Sequence, residues 1–283
     1  MIQNIMELNW SELKKMDKER TTVFLGFAPI EEHGRHLPLG VDVYETQHWM
    51  DGVMHELEVK YQGFTFLTIP VIPYGHAELK GFPGNMHLQQ KLFYDLVLAT
   101  LQNVVEWGIK HIVLISGHAD PRHTIAIEQA CEKIREVYDV VVFAPMGTIF
   151  TKDFLFDEEK GDELVLQKIE QYSNDFHAGW IETSNMLSIR PDLVKHSFVE
   201  QPDIELLDRE MIDPMVVSDK IKGYGHIGYP KEATKELGIV LNKSVIKKLE
   251  FCVSAYLNGE NFEQFEHHQL YQIPALRVKE EDL

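Results

Sequence analysis

Apolar positions along the chain alternate between short unbroken runs and longer stretches with apolar residues three or four apart. TTVFLGFAPI (21–30) is β-branched and aromatic, ends in proline-flanked polar residues, and predicts a buried strand. Asp42 then opens a helix to about residue 57. TFLTIPVIPYG (65–75) predicts a second strand, followed by the glycine-rich AELKGFPGN and a helix from about His87 to Trp107 with Leu92, Leu96, Leu98 and Val105 apolar. HIVLISGH (111–118) is a third strand stopped by Gly117, a helix follows over Arg122 to Val137, and DVVVFAPMG (139–147) is a fourth strand. Strands alternating with helices imply right-handed crossovers, hence a three-layer α/β/α sandwich with a mostly parallel central sheet.

Beyond residue 150 the pattern loosens. The acidic DFLFDEEKGDE (153–163) reads as solvated surface. A helix begins near Ala178 and ends before Pro191, residues 200–230 read as loops, 237–257 is an amphipathic helix, and the tail after about 262 is irregular. With no Ser/Pro/Gly-rich linker and no repeat, residues 1–283 are expected to form a single domain.

Composition narrows the function classes. The 283 residues are 44% hydrophobic and 25% charged, as in folded soluble chains, and the formal charge of −18 disfavours nucleic acid and anionic membranes, which need Lys and Arg to meet their phosphates. Acidity suits a cation-binding cytoplasmic protein. Cys131 and Cys252 lie far apart without a CxxC, so neither a disulfide framework nor a thiolate zinc site is indicated.

Ligands of open α/β sheets bind outside the carboxyl ends of the strands, and the unusual polar clusters all fall there. Glu31 and His33 end the first strand, Tyr74-Gly75-His76 the second, and Gly117-His118-Ala119-Asp120 the third. Glu31 and His33, two apart, point to one side of an extended backbone, and Asp42 stands at a helix start. Carboxylates with imidazoles and no thiolate suit Zn, Mn or Fe(II), and a carboxylate can bridge two such ions.

Four segments, PIEEHGRHLPLGVD, PVIPYGHAELKGFPGNMHL, GIKHIVLISGHAD and DFHAGWIETSNMLSIRPDLV, resemble in order and spacing the signature blocks of the creatininase (creatinine amidohydrolase) family. GHIGYPKEATKELG (225–238) is a fifth, weaker block. The resemblance implies a homo-oligomeric binuclear-metal hydrolase of cyclic or linear amides and related carbonyl compounds. Carried over by position, Glu31 and His118 hold one metal, His33 the other, and Asp42 bridges both; Glu182 is the next ligand, and Asp120 stands where creatininase has a metal-binding glutamate. Glu32 is expected to be a bystander and His36 to support a ligand carboxylate.

His177 matches the family's active-site histidine. In the implied reaction a hydroxide held by the metals attacks the carbonyl and His177, with Glu182 beside it, serves catalysis by protonating the departing nitrogen. His76, Phe82 and Gly84 are expected to line the substrate pocket, and Asp175 either orients His177 or is an ordinary loop residue. Creatininase grips creatinine with residues replaced here by Ala77, Ala119, Ser173 and Asn174, so a different small substrate is expected. Asn85 and His87 hint at a more polar, polyhydroxylated one. The alternatives are a metal-dependent C–C hydrolase opening a cyclic diketone such as an oxidised inositol, and a non-catalytic binding paralogue.

Overall fold

The computed structural model describes residues 1–79, 81–151, 163–206, 210 and 214–279. Five strands, β1 (Ile2–Asn4), β2 (Thr21–Gly26), β3 (Thr65–Thr68), β4 (His111–Ile115) and β5 (Val141–Phe143), form one sheet in the order β1-β3-β2-β4-β5. Every neighbouring pair is parallel, with Val23 of β2 in register with Leu67 on one side and Ile112 on the other. Among the described residues the helices are α1 (Trp10–Lys15), α2 (Val41–Lys60), α3 (Gln90–Glu106), α4 (Pro121–Val137), α5 (Met146–Ile149), α6 (Glu163–Gln171), α7 (Trp180–Ile189), α8 (Pro214–Ile221) and α9 (Lys235–Leu257).

The period-two alternation of each strand divides the core. Val23, Leu25, Leu67, Ile112 and Leu114 pack against Phe93, Val97 and Leu101 of α3 and Ala130 and Ile134 of α4. Phe24, Phe66, Val113 and Ile115 face the other way, against Trp49, Met50 and Val53 of α2 and Leu249 and Val253 of α9. Both faces of the sheet are covered, which is why its strands read as unbroken apolar runs. Each fully buried Leu, Val or Phe here contributes about 1.5–3 kcal/mol of transfer free energy.

The differences from the sequence reading have local causes. The strands are shorter than the apolar runs because Pro29, Pro70 and Pro145 cannot donate to a ladder. Beyond Gly26 the chain keeps single bridges, Phe27 to Ile72 and Ile30 to Met86, and carries the polar residues away from the sheet edge. Residues 214–221, expected as loop, form α8, and α1, whose Asn9–Glu12 capping box starts it, was not anticipated. Residues 153–162 of the acidic stretch lie outside the described residues. Among the described residues the tail after 262 holds only short 3₁₀ turns, yet it is anchored: Arg135 donates to both oxygens of Glu266 at 2.7 and 2.9 Å, and Phe265, Tyr271 and Val278 are buried.

Candidate metal centre

The parallel sheet delivers its carboxyl ends to one edge, and three connections meet there. Glu31 and His33 lie on the segment between β2 and α2, Asp42 sits in the first turn of α2, and His118 follows β4. Opposite them, an antiparallel bridge between His177 and Ile227 leads into α7, whose first turn carries Glu182. The partial positive charge of a helix N-terminus favours a carboxylate at both Asp42 and Glu182.

Among the described residues two groups of three potential ligands result, Glu31/Asp42/His118 and His33/His177/Glu182, with ligand atoms within 4.8 Å of one another in each. Asp42 belongs to both surroundings. Its Oδ1 lies 3.2 Å from His33 Nε2 and its Oδ2 lies 3.2 Å from His118 Nδ1. Glu31 Oε2 approaches the same His118 nitrogen at 3.4 Å, and Glu182 Oε2 stands 3.8 Å from His33 Nε2.

Backbone carbonyls fix which imidazole nitrogen faces inward. His33 Nδ1 donates to the Glu31 carbonyl at 3.0 Å, leaving Nε2 turned to Asp42; His118 Nε2 donates to the His76 carbonyl at 3.0 Å, leaving Nδ1 turned to Glu31 and Asp42. His177 Nε2 donates to the Glu32 carbonyl at 2.8 Å. An imidazole held through one nitrogen by an oxygen acceptor is how proteins present the other to a metal. Both oxygens of Glu31, both of Asp42 and Nε2 of His33 are buried without a hydrogen-bond partner, a costly arrangement that a cation would relieve.

Electrostatics agree. Burial acts to raise Asp42, but the charges of His33 and His118 outweigh it and hold the carboxyl well below its ordinary range. Burial acts to lower His118, yet Glu31 and Asp42 bring it up to about 10; His33 rises well above its ordinary value for like reasons, against its own burial and driven by Asp42 and Glu182. Without a cation the carboxylates hold protons on these imidazoles, and divalent ions would take the protons' place.

The remaining expected residues are distributed as follows. Asp120 falls outside both groups. Its Oδ1 accepts the N–H groups of Arg122 and His123 at 2.7 and 3.1 Å, because Pro121 starts α4 at once and the short side chain folds back as the cap. Asp175 does not reach the His177 ring: its carboxylate accepts the N–H groups of Trp180, Ile181 and Tyr229 at 2.8, 2.9 and 3.0 Å, tying α7 to the segment after Ile227. His36 is buried beside the site but bonds the Thr183 hydroxyl at 3.0 Å, next to Glu182, rather than a ligand carboxylate. His76 and Phe82 line a cavity of about 860 Å³ with Glu78, His87, Ser218 and Lys222, whereas Gly84 and Asp175 do not line it.

Sequence reasoning missed two acids. Glu32 is buried, and besides offering its carbonyl it sets Oε1 3.5 Å from His177 Nε2. Glu45, one turn beyond Asp42 on the same helix face, is buried and accepts from Asn185 Nδ2 at 2.8 Å; burial and the nearby charge of Glu182 push it well above the carboxylate range. The i, i+3 spacing from Asp42 was the available signal for Glu45.

Comparison with known proteins places the chain in a family. The family model for creatininase, creatinine amidohydrolase, matches residues 6–252. Creatinine amidohydrolase of Pseudomonas putida is 24% identical over 263 residues, covering 87% of this chain and 92% of its own length. A manganese form of creatininase superimposes with a TM-score of 0.67 at 21% identity, over 90% of this chain and 98% of that one. A zinc–zinc form of a creatininase variant gives 0.64 at 20%, with the same coverage.

Proposed function

The chain belongs to the creatininase family, and from that premise we propose that it is a hydrolase that uses two divalent metal ions, Zn, Mn or Fe, to cleave an amide C–N bond of a small cyclic or linear substrate other than creatinine. The observation that carries this reading is Asp42, whose two oxygens are divided between His33 and His118 at 3.2 Å each. One ion would be held by Glu31, Asp42 and His118, the other by His33, Asp42 and Glu182. Bound there, such ions supply Lewis acidity and lower the pKa of water.

The chain's own residues supply the rest. Glu31, Asp42 and Glu182 concentrate negative charge in a largely buried site, Glu31 and Asp42 being 1% and 0% exposed. His177, with Nε2 anchored on the Glu32 carbonyl, keeps Nδ1 for the reaction and delivers a proton to the departing nitrogen. Its ring centre lies 4.5 Å from that of His33, so the acid stands beside the ligand set. Burial and His33 lower the affinity of His177 for that proton, while the hydrogen bond to Glu32 and the charges of Glu31 and Glu182 raise it, with a net value of about 9.

His177→Ala should retain its metal and lose about 10²–10⁴-fold in turnover. If metal content falls in step with activity, His177 is a ligand and not the acid.

The cavity favours keeping the C–C reading as well. His76 Nδ1 donates to the Leu88 carbonyl at 2.9 Å, so its buried, unpartnered Nε2 is a free acceptor, and the Glu78 carboxylate stands 3.8 Å from it. Acceptors of this kind suit a hydroxyl-rich ring such as an oxidised inositol. A screen of the metal-loaded protein against lactams, formamides and keto-inositols separates the two bond types. The same reading makes the protein a single-domain cytoplasmic homo-oligomer; among the described residues no helix is long and apolar enough to cross a membrane, and both cysteines are buried and unpaired.

A further inference from the structure

His123 is fully buried in the first turn of α4, and nothing in the proposed reaction uses it. Its hydrogen-bond geometry fits the Nε2–H tautomer. The backbone N–H of His76 donates to His123 Nδ1 at 3.2 Å, so that nitrogen carries no proton, and the proton on Nε2 is directed at Ser116 Oγ, 3.0 Å away. Ser116 Oγ in turn accepts the N–H of His118 at 3.2 Å, and the His118 ring returns its Nε2 proton to the carbonyl of His76 at 3.0 Å.

These four contacts close a ring. It joins the end of β4 to the loop after β3 through two main-chain groups of His76 and the main chain and ring of His118. The ring of His123 is clamped by stacking on Phe93, at 4.4 Å between centroids and 17° between planes, and meets the His118 ring edge-on at 5.0 Å. Gly75 makes room for it, since a Cβ there would lie 2.7 Å from both His123 Nδ1 and Cε1.

We propose that His123 is a positioning residue for the metal centre: by holding the His76 peptide in place, it fixes the acceptor that keeps His118 in its Nε2–H form with Nδ1 turned to Glu31 and Asp42. This rests on the metal-binding reading above. Removing the acceptor at Nδ1 frees the His76 peptide to turn, and the His118 ring loses the partner that selects its tautomer. The other candidate metal position is oriented independently, because His33 is held by the carbonyl of Glu31.

The test is competition of metal-depleted protein against a chromophoric chelator, using Zn(II) for affinity and Co(II) for the visible spectrum. Wild type, His123→Leu, His123→Asn and Ser116→Ala are compared, with the unfolding midpoint of each metal-free chain. His123→Leu should weaken one of the two sites by about 10–100-fold and alter the Co(II) spectrum, leaving the other site unchanged. His123→Asn, whose Oδ1 can accept the His76 N–H, should recover most of that loss. Ser116→Ala should weaken the same site by a smaller factor, and it carries the test if the buried His123 variants do not fold.

Wild-type affinity at both sites in His123→Leu, or in Ser116→Ala where the former does not fold, overturns the role of His123. Equal losses in the Leu and Asn variants, paralleled by the metal-free unfolding midpoints, also overturn it in favour of plain packing. Failure of the wild-type chain to take up metal overturns the metal reading, and this role with it.

Discussion

Asp42 shows how far a single residue could be read in advance. A carboxylate at a helix start is a common cap, and only its recurrence with Glu31, His33 and His118 at neighbouring strand ends marked it for chemistry; in the structure Asp42 lies against His33 and His118, and Glu31 against His118. Glu32, Glu45 and His123 were not legible, because their partners are a distant imidazole, a distant amide and a backbone N–H that the fold alone brings near. A buried acid outside the site gives a clean pH prediction. Burial raises Glu128 to about 9, against the single N–H it accepts from His268 at 2.8 Å. The folded-state value lies above the unfolded one, so the chain binds a proton more tightly when folded, and stability falls as pH rises from about 4.5 to 9. Glu128→Gln should flatten that slope and gain on the order of 1 kcal/mol at pH 8, checked by denaturant unfolding across pH.

At the level of elements, the long helices α2, α3, α4, α7 and α9 and the strands β2 to β5 were readable, whereas β1, α1, α5, α6 and α8 were not. β1 is three residues long and exists because β3 offers it an edge, with Ile2 in register with Phe66. α8 lies among Asp, Gly and Tyr residues whose local preference is for turns, and packing of Val217 and Ile221 with Leu206 and Ile227 overrides it. The start of α7 matters most for the site. Ala178 takes a left-handed backbone (φ 49°), which aims its N–H at Glu182, and Asp175 ties down the N–H groups that follow. Gly179 is needed there, since a Cβ would lie 1.9 Å from Asp175 Oδ1. Asp175→Ala orphans three N–H groups and should cost about 1–3 kcal/mol in thermal or denaturant unfolding. Because it moves Glu182, it should also weaken metal binding, measured by chelator competition.

For the whole molecule, the mostly parallel sheet and its two-faced core follow from alternating runs, but the strand order and the convergence of β2, β3 and β4 ends with α7 depend on a long return of the chain that no local pattern encodes. In the proposed centre metal binding and folding are therefore expected to be coupled. With ligand at about 100 times its dissociation constant, each bound ion adds about 2.7 kcal/mol to stability, so chelation should lower the melting temperature. In the metal-free chain His118 titrates near 10 against an ordinary 6.5, so its contribution to stability is complete below about pH 6.5 and is lost as pH rises towards 10. Metal affinity should move the opposite way, rising with pH as the imidazole protons leave.

The most direct measurement is the metal content of the purified chain beside its Asp42→Ala variant. The binuclear centre predicts two transition-metal ions per wild-type chain and loss of both when the shared carboxylate is removed. Fewer than one ion per wild-type chain, unchanged by Asp42→Ala, would contradict it.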